Sequence, residues 1–231
     1  VVAKAKGQIP FADHGRSGGA TGVQTQTLAP DRSECQERRM TERPAPTPYP
    51  SLPDRTRLPD EYRLILADLP RAGWQAHPDF NGLAAFWLDR HLGFRRMLDA
   101  LAADLQARID GDMAAEAYAG RLSRLGSRLL GDLIGHHQIE DQVYFPKLAR
   151  LEPRISRGFD MLEADHHALH DLIDSFATGG NGVLAAQGDA AQREAAGGFL
   201  TDLGAFDRLL TRHLADEEDL VLPVVLKHRV G

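Results

Sequence analysis

The sequence predicts an all-α protein, an up-down-up-down four-helix bundle behind a disordered N-terminal leader. Three observations carry that expectation. Apolar residues recur every third or fourth position in four separate stretches, the mark of amphipathic helices. No stretch alternates with period two over a useful length, so no sheet is expected. A His-x-x-x-Glu pattern, followed by a second acid and then by a proline ten residues after the histidine, occurs twice, opening at His136 and at His213. His91 and His166 precede the two copies by 45 and 47 residues. The chain therefore reads as a duplicated helix pair.

Residues 1–57 form the expected leader, rich in Pro, Gly, Ser and Thr and without apolar periodicity, as in Ala45-Pro46-Thr47-Pro48-Tyr49-Pro50. Such a composition buries too little apolar surface to offset chain entropy. Met40 is an alternative start, which would make residues 1–39 an over-long gene reading. Residues 58–77, with Leu64, Ile65, Leu66, Leu69 and Trp74, read as a short strap or helix on the bundle, and residues 78–231 as the bundle itself.

The first bundle helix carries Leu83, Trp87, Phe94, Leu98, Leu101 and Leu105, with His91 filling the gap in the stripe, and ends near Asp110-Gly111. The second carries Tyr118, Leu122, Leu125, Leu129 and Leu133, then His136, Glu140, Val143 and Leu148, and stops near Glu152-Pro153. The third runs through Ile155, Phe159, Leu162, His166, Leu169 or His170, Ile173 and Phe176. The fourth runs through Phe199, Leu203, Phe206, Leu210, His213, Glu217, Leu220 and Val224. Between them, Gly179-Gly180-Asn181-Gly182 and Gly197-Gly198 predict a long mobile loop over 178–198 with room for one short helical turn. Pro146 and Pro223 each remove a helical hydrogen bond and predict a kink or a stop.

Short connections place successive helices antiparallel. Counted from the turns at 1.5 Å per residue, His91, His136, His166 and His170 then differ in height by roughly one helical turn or a little more. A histidine and a carboxylate four residues apart share a helix face and can grip one ion. The halves differ at +4 from their first histidine, where Arg95 stands in one and His170 in the other. The candidate ligands are His91, His136, Glu140, His166, His170, His213 and Glu217. A lone histidine on an apolar stripe is usually a hydrogen-bonded core residue. Five imidazoles and two carboxylates on inward stripes at one level would leave many buried polar groups unpaired unless a metal satisfies them together. His137 and His167, about 100° from the stripe, are expected on helix flanks, and Asp141 and Glu218 in supporting or surface contacts. A small rotation of the last helix would exchange Glu217 for Glu218.

The single cysteine, Cys35, lies in the leader, so the ligands are nitrogen and oxygen. Seven such ligands exceed the needs of one tetrahedral zinc, and carboxylates from facing helices can bridge two ions. Two Fe ions fit this mixture best, with Mn or mixed metal as alternatives. A net charge of −6 without basic clustering offers no footprint for nucleic acid or an anionic membrane, and no run of 18 apolar residues is present, so a cytoplasmic protein is expected.

These motifs resemble the hemerythrin family in its bacterial HHE cation-binding branch. The marks are His91 with its apolar helix, His136-His137-x-x-Glu140-Asp141-x-x-Tyr144-Phe145-Pro146, Asp165-His166-x-x-x-His170-Asp171, and His213-x-x-x-Glu217-Glu218 with Pro223, over about residues 80–228. The resemblance implies a non-haem di-iron centre binding dioxygen between carboxylate-bridged irons. His91, His136, His166, His170 and His213 would be terminal ligands, and Glu140 and Glu217 the bridges. Oxygen-carrying members place the last carboxylate five residues after its histidine, here Glu218, and many bacterial members four, so the second bridge stays open between Glu217 and Glu218. The implied partner is dioxygen or another small diatomic or oxidant, bound or sensed. A di-iron enzyme acting on peroxide or oxygen and an iron-dependent interaction module are the alternatives. A ferritin-like bundle needs Glu-x-x-His on two helices, and Glu163-x-x-His166 supplies one.

Overall fold

A computed structural model describes residues 49–230, and the expectation of disorder over residues 1–48 lies outside them. Within the stretch expected as leader, Leu52 and Arg55 are buried. A strap of short turns, Leu52–Asp54, Asp60–Tyr62 and Arg71–Ala76, with one short helix α1 (Leu64–Asp68), lies across the bundle. Leu52, Leu58, Tyr62, Ile65, Leu66 and Trp74 are its buried anchors. They follow no period because the strap has no regular face of its own, so its fit is set by the partner surface. The Trp74 indole N–H donates to the Leu69 carbonyl at 2.8 Å, which leaves the ring free to pack without an unpaired donor.

Four long helical segments follow: α2 (Gly82–Asp110), α3 (Ala115–Ile139) continued by α4 (Phe145–Leu151), α5 (Ser156–Ala185) and α6 (Asp189–His228). Each packs on two others, α2 on α3 and α6, and α5 on α3 and α6, which closes the four into a bundle. Its core takes Phe94, Leu98, Leu101 and Leu105 from α2, Leu122, Leu129 and Leu133 from α3, Leu169, Ile173 and Phe176 from α5, and Phe199, Leu203, Phe206 and Leu210 from α6. These are the residues of the four sequence stripes. Gly111 ends α2 in a left-handed conformation, φ 87°, and its N–H returns to the Ala107 and Arg108 carbonyls, the turn that a glycine after the last helical residue makes easily.

One expectation fails. The glycine-rich stretch over 178–198 is helical apart from the short link between α5 and α6. A Cβ added at Gly179 would stand 2.7 Å from Phe199 Cδ2 and 2.8 Å from Asp202 Oδ2, so this glycine marks a close crossing of α5 and α6 and not a loop. Helix-breaking propensity is about 1 kcal/mol per glycine, which the burial of Val183, Ala196 and Phe199 outweighs.

The prolines stop neither helix. Pro223 sits inside α6, which runs on to His228 with Val221, Leu222, Val224, Val225 and Leu226 all buried around it. Pro146 is absorbed differently. The five residues Glu140–Tyr144 form a π-helical turn, and Pro146 falls in the first turn of α4 immediately beyond, where a missing N–H costs least.

Candidate metal centre

Each bundle helix turns at least one imidazole inward. His91 comes from α2, His136 from the end of α3, His166 from α5 and His213 from α6, all buried. Glu140 opens the π turn and Glu217 follows His213 by one turn of α6, and both are fully buried. The π turn changes the helix phase just after His136, an irregularity that recurs at functional sites.

The donor atoms fall into two groups. His91 Nε2 and His136 Nε2 are 3.1 Å apart, and His166 Nε2 and His213 Nε2 are 3.2 Å apart. Each carboxylate spans both pairs. Glu140 sets Oε1 2.9 Å from His136 Nε2 and Oε2 3.6 Å from His166 Nε2. Glu217 sets Oε1 3.3 Å from His91 Nε2 and Oε2 3.4 Å from His213 Nε2. Two donors bound at about 2.1 Å and at right angles to one ion stand about 3.0 Å apart, so these spacings suit shared cations. Both Glu140 oxygens and Glu217 Oε2 are buried without a hydrogen-bond partner, an arrangement that is expensive unless a cation supplies the missing interaction.

His137 and His170 exchange their expected places. His137 is 2% exposed, has no partner on either ring nitrogen, and stacks on His166 at 4.0 Å between centroids. It offers a donor within 4.8 Å of those of His166 and His213, while a second group joins His91, His136, Glu140 and Glu217. His170 is exposed on α5, because Leu169 takes the inward position between His166 and Ile173. Single-stripe phasing treated the buried face of α3 as too narrow. Leu130 is also buried, and His137 lies seven residues further along the same seam; that pairing was the signal in the sequence. His167 is exposed, as expected.

Outer carboxylates orient the rings. His91 Nδ1 pairs with Glu218 at 3.0 Å, His166 Nδ1 with Asp141 at 2.7 Å and His213 Nδ1 with Asp165 at 3.3 Å. A carboxylate on Nδ1 fixes the tautomer that points the Nε2 lone pair inward, as in carboxylate–histidine–metal arrangements. Glu218 thus supports His91, while Glu217 faces both histidine pairs. The Trp87 indole N–H donates to Glu217 Oε1 and holds that carboxylate from the neighbouring helix α2.

Charge follows from these contacts. Burial, with help from the neighbouring histidines, pushes His136 down to about 3, and His137 goes well below the usual imidazole range for the same reasons. Burial acts on His213 too, but Asp165 and Glu217 outweigh it and lift its pKa to about 9. Burial and the charge of Glu217 raise Glu140 well above the carboxylate range. Burial opposes ionisation of Glu217 as well, yet His91 and His213 hold it well below that range. The facing pair is thereby split, with Glu140 pushed toward its neutral form and Glu217 toward its ionised form.

A model of the hemerythrin HHE cation-binding domain matches residues 82–225. The chain belongs to this family. No curated protein and no solved structure matches it. The HHE match covers all four bundle helices and every buried donor of the two groups, and it begins after the strap. No helix among the described residues is long and apolar enough to cross a membrane.

Proposed function

We propose that this HHE protein is a non-haem di-iron protein that binds or senses dioxygen or a related small oxidant. The observation that carries the proposal is the double reach of Glu140 and Glu217, each with one oxygen toward the His91–His136 pair and the other toward the His166–His213 pair. Carboxylates that join two nitrogen groups in this way suit two cations held side by side. His91 and His136 would hold one ion, and His166, His213 and His137 the other. Nitrogen and carboxylate donors without thiolate favour iron, with manganese as the substitute. An iron pair would supply what these side chains lack, reversible electron donation to a small oxidant.

The chain's own residues do the rest. Asp141, Asp165 and Glu218 aim the imidazoles, and Trp87 fixes Glu217. Phe94 packs against His136 and Phe145 against His166, which keeps bulk water from the rings. Elemental analysis of protein from iron-replete cells is expected to give close to two irons per chain, with visible absorption that appears in air and fades on deoxygenation. One zinc and no iron would defeat the proposal, and sustained peroxide turnover would transfer it to an enzyme.

A further inference from the structure

The outer carboxylates that aim the histidines are themselves held by arginines, and one of these comes from outside the bundle. Beside His91, Glu218 Oε1 accepts from Arg95 Nη1 at 2.7 Å and meets His91 Nδ1 on the same oxygen at 3.0 Å. Arg95 stands four residues after His91; the equivalent position after His166 is His170, which is exposed and carries no such function. In the second half the guanidinium is supplied by Arg55 of the strap. Its Nη1 donates to Asp165 Oδ1 at 2.9 Å, its Nη2 to Asp165 Oδ2, and its Nε to Asp216 Oδ2 at 3.1 Å. Asp165 Oδ2 is the atom that meets His213 Nδ1. The Arg55 and Asp165 side chains are 1% and 4% exposed.

We infer that Arg55 is a positioning residue of the metal centre, acting through Asp165 on His213, so that the strap completes one of the two cation positions. The fork–carboxylate geometry is what makes this specific. A bidentate arginine fixes both oxygens of its carboxylate in one plane, and the carboxylate so fixed holds the His213 ring in the orientation that points Nε2 at His166 Nε2 and Glu217 Oε2. Without the fork, Asp165 can rotate away from His213, and the ring loses its guide. The strap lies before the matched bundle, so the domain by itself would hold this position less well. Arg71 plays a lesser part in the first half, because it shares Glu218 with Arg95 and is partly exposed.

This inference rests on the two-cation reading above. It is tested by stepwise anaerobic titration of the demetallated full chain with ferrous iron, comparing wild type, R55Q, R55K and L52A. L52A loosens an apolar anchor of the strap without touching Asp165. R55Q should weaken one of the two binding steps, by at most the roughly 10–100-fold that losing an outer partner of a ligand histidine costs, and leave the other step unchanged. R55K, which keeps the charge but not the fork, should fall between R55Q and wild type. In the zinc-loaded protein the His213 Nδ1–H proton resonance should exchange faster with water in R55Q than in wild type. L52A should melt earlier and keep the wild-type ratio of the two affinities. Wild-type titration by both arginine variants, or equal weakening of both steps in R55Q and L52A alike, overturns the inference while leaving the metal centre in place. A wild-type chain that takes up no metal overturns both.

Discussion

Replacing His137 by alanine should have opposite effects on the metal-free and the metal-loaded protein. In the metal-free chain both ring nitrogens are buried without partners, and each such group is expected to be worth about 1–3 kcal/mol of desolvation. Truncation removes that penalty but leaves a cavity beside His166, so the two effects offset and the apo variant should melt near wild type or above it. With metal present, the variant would give up the nitrogen donor that lies beside those of His166 and His213 on the proposed reading. Taking even the 10–100-fold loss typical of an outer partner, the linked loss of stability in excess metal is about 1.4–2.7 kcal/mol. At about 2.1 cal/mol/K of unfolding entropy per residue over the roughly 180 residues of strap and bundle, that corresponds to a fall of about 4–7 °C in Tm. His170→Ala, on the exposed face of α5, should stay within about 0.5 kcal/mol of wild type in both states. Paired calorimetric scans with and without iron, alongside metal content, make the comparison. If His170→Ala loses an ion and His137→Ala retains both, the donor assignment is wrong, and α5 must turn toward the centre when metal enters.

Two other predictions concern the scaffold. Gly179→Ala should destabilise by about 1–3 kcal/mol in urea melts, because its Cβ would press into Phe199 at 2.7 Å, whereas Gly197→Ala, with nothing within 4 Å, should stabilise by about 0.5–1 kcal/mol; equal effects would mean that α5 and α6 do not cross closely there. Glu152 is buried, which raises its pKa, but Lys227, His228 and Arg154 lower it further, to about 2. Its folded value is depressed, so its contribution is present above the ordinary carboxyl range and is lost as pH falls from about 4.5 toward 2. Because Lys227 is 40% exposed, screening should limit that contribution to about 1 kcal/mol. Glu152→Gln should therefore be less stable at pH 7 and converge on wild type in acid, and a difference that persists to pH 2 would mean that packing and not charge holds the contact.

The sequence by itself determined the bundle. Stripes at 3-or-4 spacing fix which face of each helix is buried whatever the neighbours are, and the repeated His-x-x-x-Glu placed His136, Glu140, His213 and Glu217 on those faces, where the structure has them. His91 and His166 followed from the gaps they fill. Periodicity runs out where a residue lies between two seams. His137 and His170 both sit beside a stripe, and the width of the buried face decides between them: α3 buries Leu130 and His137 on a second seam, while Leu169 takes the inward position that His170 would have needed.

The same limit explains the glycines and the strap. Gly179 reads as a loop signal until Phe199 is seen to occupy the space of its missing Cβ, a contact made by α6 and invisible along α5. Arg55 reads as one more charge in a polar leader, because its meaning lies in Asp165 and Asp216, 110 and 161 residues away. Local pattern records how a helix meets water and core. Which carboxylate meets which arginine, and which imidazole completes the second donor group, depends on distances between elements that only packing sets.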